Sequence, residues 1–158
     1  MHVYEITHPV AHSADDMFAL VARVEDYPKF LPVCEGIEVT RREERDGKEV
    51  LVATMTIGYG VINESFTTRV HLDPGGRTIL VEYLDGPFTF LENRWRFQPA
   101  GAGSSEVAFY IAYAFRSRLF ERLVGGLFAR AVERYTGAFE ARADAVYGRK
   151  TKALASHK

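Results

Sequence analysis

The chain has 158 residues, 47% hydrophobic and 26% charged, with a net charge of -1, enough for one compact domain with a sizeable core and too little for two. Eleven Phe, eight Tyr and one Trp exclude a disordered or low-complexity chain, and the single cysteine, Cys34, excludes an internal disulfide framework and fits a reducing, cytoplasmic setting. The charge divides unevenly: Met1 to Phe115 has ten Lys/Arg against seventeen Asp/Glu, net -7, while Arg116 to Lys158 has ten against four, net +6. Such a body is a poor binder of a DNA groove, whereas the basic C-terminal element suits an anionic surface.

Tyr4, Ile6 and His8 alternate as in a strand. Ser13 is placed as an N-cap with Asp15 and Asp16 in the first helical turn, and Met17, Leu20, Val21 and Val24 follow at helical spacing, predicting a short helix that ends near Glu25. Pro28 and Pro32 then bracket an apolar connector containing Phe30 and Leu31. Six strand-like segments come next: Val33–Arg45, Glu49–Ile57, Val61–Leu72, Arg77–Leu84, Phe88–Phe97 and Glu106–Phe115. Short breaks such as Asp46-Gly47 and Asp85-Gly86-Pro87 separate them, which predicts an antiparallel meander. Parity puts Ile62, Glu64, Phe66, Thr68, Val70 and Leu72 on one face, and likewise groups Leu91, Asn93, Trp95 and Phe97, then Val107, Phe109, Ile111, Tyr113 and Phe115. From Ser117 to about Tyr147 one long helix is expected, with Gly125-Gly126 as the place for a kink. The fold class is therefore α+β: about seven curved antiparallel strands around a long C-terminal helix, with short helical structure between the first two strands. A curved sheet around a straight helix leaves a cavity. The domain is expected over residues 1–148, with 149–158 as a disordered, basic tail.

The N-terminal residues interrupt any apolar stretch with His2, Glu5 and His8, so no secretory signal is expected. The longest apolar run, Val107 to Phe115, has nine residues against the roughly 20 of a spanning helix, so the chain is expected to be soluble or at most peripheral. The five histidines have no metal spacing, Cys34 has no CxxC companion, and neither GxSxG nor a phosphate loop occurs. No metal and no cofactor are expected, and Cys34 is expected to be a buried structural thiol.

The stretches MFALVARVEDYPKFLPVC, GVINESFTTRV, DGPFTFLENRWRF and AFEARADAVYG, in that order over about residues 1–148, resemble the bacterial ribosome-association toxins and coenzyme Q-binding proteins of the START-like, polyketide-cyclase-type superfamily. Val33 stands where that family usually has Trp before the Cys of its FLPWC motif. The resemblance implies a helix-grip fold and a hydrophobic tunnel for a polyprenyl quinone, ubiquinone, or a similar lipid. It also implies one of two roles, a quinone chaperone supporting respiratory electron transport or a toxin that binds the large ribosomal subunit and blocks subunit association. The apolar pocket favours the first: a non-enzymatic lipid-binding module, cytoplasmic and possibly peripheral at the inner membrane. An enzyme of the cyclase or hydratase kind, with Glu64 as general acid or base, is the weakest of the three because no second catalytic group stands beside it.

Several residues are candidates to touch such a ligand. Glu64 shares a face with Phe66 and reads either as turned to solvent by a bulge near Gly60 or paired with Arg69 or Arg94, or as a partner for a quinone head-group alongside Thr68 and Asn93. Phe30, Leu31 and Val33 read either as a mobile lid or as plugs of the core. Trp95, Phe109, Ile111 and Tyr113 are core positions that can also line a pocket. Phe120, Leu123, Leu127, Phe128, Ala131 and Tyr135 form the helical stripe that roofs it. The arginines of the last helix read as a solvated face or as a contact for anionic phospholipid or ribosomal RNA.

Overall fold

The computed structural model describes residues 1–148, and the expected basic tail, residues 149–158, lies outside them. In chain order the elements are β1 (His2–Val10), α1 (Ala14–Ala22), a 3-10 helix (Val24–Lys29), β2 (Cys34–Arg45), β3 (Lys48–Tyr59), β4 (Ile62–Asp73), β5 (Thr78–Asp85), β6 (Phe88–Pro99), β7 (Ser105–Phe115), α2 (Arg118–Glu133) and α3 (Tyr135–Tyr147). The seven strands form one antiparallel sheet in the order β1-β7-β6-β5-β4-β3-β2. β2 to β7 are a simple meander joined by tight turns. α1 and the 3-10 helix carry the chain from β1 at one edge to β2 at the other, and β7 comes back to pair with β1.

Bulges bend the strands where the sheet curls. They fall at Cys34/Gly36 and Val39/Arg41 in β2, at Thr67/Thr68 in β4, and at Phe88/Phe90 in β6. In the β5–β6 turn Gly86 has a φ of 144°, and a Cβ there would come 2.5 Å from the Phe66 Cβ. Only glycine lets this turn close onto β4. The alternation on β4 holds as parity requires: Phe66, Thr68, Val70 and Leu72 are buried, and Ser65 and Arg69 are exposed.

Two helical expectations are corrected. The α-helical part of the first helical segment ends at Ala22 rather than near Glu25, and the chain continues as a 3-10 helix that contains Pro28. The long C-terminal helix is two helices. It runs unbroken through Gly125-Gly126 and stops instead at Arg134, whose N–H bonds the Ala131 carbonyl at 3.1 Å. The break allows both halves to face the sheet: α2 buries Val124, Phe128, Ala131 and Val132, and α3 buries Thr136, Phe139 and Ala143.

Candidate ligand-binding cavity

Between the inner face of the sheet and α2–α3 lies a cavity of about 70 Å³. Its sheet wall is built from Met55, Phe66, Thr68, Asn93, Trp95 and Ile111, all on inward-facing positions of β3 to β7. Phe128, Val132, Tyr135 and Phe139 form the helical wall, and Tyr27 of the 3-10 helix closes one side. Around the cavity the rings pack edge to face. Trp95 and Phe139 have centroids 5.0 Å apart, and Trp95 and Phe109 4.7 Å.

Four polar side chains reach this apolar space, and two are already occupied. Asn93 donates from Nδ2 to the Tyr110 carbonyl at 2.9 Å and accepts from Trp95 Nε1 at 2.9 Å, while the Tyr27 hydroxyl donates to the Val21 carbonyl. The hydroxyls of Thr68 and Tyr135 make no hydrogen bond among the described residues. Burial pushes the Tyr27 and Tyr135 phenols well up, so both are neutral donors. Among the described residues no carboxylate, histidine, lysine or arginine lines the cavity. It can bind an apolar body and donate hydrogen bonds to a carbonyl-type acceptor.

A second apolar recess, about 20 Å³, opens beside the cavity between the β3–β4 hairpin and the start of α2. Val33, Ile57, Ile62, Phe120, Leu127 and Phe128 line it. Phe128 belongs to both spaces and is the partition between them. Val33 takes a φ of 56°, an outlier for a β-branched residue, with its carbonyl held by the Gly58 N–H at 3.0 Å. On the outer face of the sheet a wider, open depression of about 500 Å³ has Glu5, Arg94, Arg96 and Tyr110 on its floor, as expected of the wet side.

Of the residues expected to touch a ligand, Phe66, Thr68, Asn93, Trp95, Ile111, Phe128 and Tyr135 surround the cavity, and Val33, Phe120 and Leu127 surround the recess. The others line neither space. Phe30 is a plug rather than a lid: its ring stands 5.1 Å from Phe139, with the Arg142 guanidinium 5.4 Å above it, and Leu31 is buried in the core. Phe109 and Tyr113 form a layer behind the cavity wall, Tyr113 packing 4.8 Å from Phe128, and Ala131 is buried away from the cavity. Leu123 is exposed.

Glu64 keeps its inward register opposite Ile57 with no bulge near Gly60, but it lies between Ile62 of the recess and Phe66 of the cavity and lines neither. It forms no ion pair among the described residues; Arg69 faces Glu82 at 3.8 Å instead, and Arg94 pairs with Glu92. Tyr27, Met55, Val132 and Phe139 line the cavity without having been expected there, and Phe139 lies on α3, past the break at Arg134, with its ring 5.0 Å from Trp95.

Residues 10–140 match the family described as polyketide cyclase / dehydrase and lipid transport. The chain belongs to this family. Among its relatives, ribosome association toxin RatA of Vibrio cholerae is 34% identical over 88% of this chain and 93% of its own length. The mitochondrial coenzyme Q-binding protein COQ10 of Dictyostelium discoideum is 27% identical over 91% and 70%. An 18 kDa protein of Caulobacter crescentus, known from a solution structure, is 34% identical with a TM-score of 0.76 over 94% of this chain and all of its own. An aromatase/cyclase from a Streptomyces species shares the fold at 20% identity, with a TM-score of 0.75 over 90% of this chain and 94% of that one. A START superfamily protein of Mycobacterium smegmatis does so at 22%, with a TM-score of 0.75 over 92% and 99%. The fold is the START-like helix-grip fold. No helix among the described residues is long and apolar enough to cross a membrane.

Proposed function

We propose that the chain is a non-enzymatic carrier of a polyprenyl quinone such as ubiquinone, or of a similar lipid, that serves the respiratory membrane as a chaperone and meets it peripherally. The observation that carries this reading is the cavity: apolar walls, two free neutral hydroxyls at Thr68 and Tyr135, and no charged side chain among the described residues. Such a lining desolvates a lipid at about 25 cal/mol for every Å² of apolar surface, and the hydroxyls orient a carbonyl-bearing ring. The lining also supports binding over turnover, because it offers no general acid or base near neutral pH. At about 70 Å³ the space is well below the roughly 300–1,000 Å³ of ordinary ligand pockets, so entry has to displace side chains. Phe128, shared with the recess, is the side chain whose rotation joins the two spaces. The 27% identical coenzyme Q-binding relative supports the quinone as the ligand class.

Organic extraction of protein purified from its native host, followed by mass spectrometry, tests this directly. Quinone or another polyprenyl lipid in the extract is the expected result. An empty extract, together with no saturable binding of a short-tail ubiquinone analogue, overturns the reading.

A second reading, binding to the large ribosomal subunit and interference with subunit association, is favoured by one observation. The 34% identical relative carries the name of a ribosome association toxin, and Arg118, Arg122 and Arg130 are exposed on α2. Co-sedimentation with large subunits at moderate salt, lost on charge reversal of those three arginines, is the result that would put it first.

A further inference from the structure

The antiparallel register brings the β3–β4 turn, the β5–β6 turn, the start of β1 and the start of α2 to one end of the molecule. That end is where the large apolar side chains are uncovered. Val61 is 99% exposed, Leu119 66% and Leu123 64%, and Leu84 and Phe90 are exposed on the outer face of the β5–β6 hairpin at the same end. Met1 and Val3 add to the same end, and of the large apolar side chains exposed among the described residues only Val146, near the end of α3, lies elsewhere. Scattered exposed leucines need no explanation, but a group gathered at one end marks an interaction surface.

Charge on α2 selects the partner. At about 100° per residue Leu119 and Leu123 lie on the face of α2 turned away from Phe128 and the sheet, and Arg122 and Arg130 share that face. Arg118 borders it, and Glu121, the one carboxylate in the first three turns, points to the other side, where His2 holds it at 2.7 Å. The exposed carboxylates at this end, Glu35, Glu38 and Asp85, belong to the sheet margin. Leucines beside arginines on a solvent-facing helical surface suit a bilayer whose phosphates meet the guanidinium groups while the apolar side chains enter the acyl boundary.

We infer that this end docks on an anionic phospholipid bilayer, with Val61, Leu119 and Leu123 as the inserted anchors and Arg118 and Arg122 on the headgroups. Docking in this pose seats the Val33–Ile62–Leu127 recess against the acyl layer, so a lipid reaches the cavity past Phe128 without crossing water. The purpose of docking rests on the carrier reading; the surface itself does not.

Flotation with vesicles of phosphatidylcholine, with and without phosphatidylglycerol, tests the inference. The protein is expected to float with the mixed vesicles and to be released by high salt. The triple variant Val61→Asp/Leu119→Asp/Leu123→Asp should lose binding by on the order of tenfold or more, and Arg118→Glu/Arg122→Glu should lose the preference for phosphatidylglycerol. Val146→Asp, an exposed apolar position on another surface, should bind as the parent does. All these positions are exposed, so circular dichroism is expected to stay unchanged. Failure of the parent to float, equal flotation of the triple variant, or binding of large ribosomal subunits in place of vesicles overturns the inference. Titration with a short-tail ubiquinone analogue in the absence of vesicles reads the cavity alone, so a protein that takes up the analogue but ignores vesicles refutes the docking surface and not the carrier.

Discussion

The two ends of the sheet are finished in different ways. At one end β1 runs into α1 through a lock of buried polar contacts. The fully buried His12 ring meets Asp144 of α3 at 2.7 Å, Ser105 donates to the His12 carbonyl at 2.8 Å, and the Tyr147 hydroxyl donates to the Asp16 carbonyl at 3.0 Å. Polar turns, Asp46-Gly47 and Asp73-Pro74-Gly75-Gly76, close that end. At the other end α2 leaves Leu119 and Leu123 uncovered, is tied to β1 by one exposed pair, His2–Glu121, and stands over an apolar recess. The locked end holds helices to sheet by specific hydrogen bonds. The open end relies on apolar contacts that slide, the property an entrance needs.

The contrast is sharpest in stability. Phe139→Ala removes a ring 1% exposed that packs on Tyr27, Phe30 and Trp95, and urea unfolding should show a loss of about 3–5 kcal/mol. Leu123→Ala at the open end should stay within about 0.5 kcal/mol. A smaller version of the same comparison uses two histidines of the N-terminal segment. His12→Ala leaves the buried lock unpaired and should cost about 1–3 kcal/mol, whereas His2→Ala breaks an exposed pair and should change little, about 0–1 kcal/mol. Equal losses at both histidines would mean that the ends do not differ as described.

Within the cavity the effects move from stability to affinity. Thr68→Val keeps shape and removes a hydroxyl with no protein partner, so unfolding should be unchanged or slightly favourable. Affinity for the ubiquinone analogue should fall about fivefold, roughly 1 kcal/mol. Near neutral pH no effect is expected from the buried acids, and their pH dependence appears only in alkali. Burial pushes the Cys34 thiol from its ordinary value near 9 up to about 11, and the buried phenols of Tyr27 and Tyr135 shift the same way. Because the folded state favours the neutral forms, the Cys34 contribution is complete below about pH 9 and is lost as pH rises toward 11, that of the phenols is lost only at higher pH still, and Cys34 should resist thiol reagents at pH 8 while the chain is folded. Rapid labelling of Cys34 at pH 8 in the folded protein would contradict its placement.

Much of this was legible in the residues. Turn chemistry located the strands to within a residue or three, and parity on β4 placed Phe66, Thr68 and even Glu64 on the inner face. Parity fixes a face but not how far along it a cavity extends, and so Glu64 fell between two spaces rather than into one. The helical stripe failed in a similar way. Leu123 sits three residues from Phe120 and four from Leu127, yet five residues before Phe128 is about 140° around the helix, which turns it to solvent. The break at Arg134 has no proline or glycine to announce it, while Gly125-Gly126, which does look like a break, sits in a continuous helix whose neighbours hold it. Tyr27 was hidden in the connector because 3-10 geometry, not sequence period, brings its ring to Phe139 at 5.2 Å.

Trp95 is the protein's one tryptophan and stands in the cavity wall, so its fluorescence reports occupancy without a label. Titrating a short-tail ubiquinone analogue into the protein should give saturable quenching of Trp95, with weaker binding by Thr68→Val and by Tyr135→Phe. Quenching that rises linearly without saturation, as for free tryptophan in solution, would contradict the claim that this cavity is a quinone site.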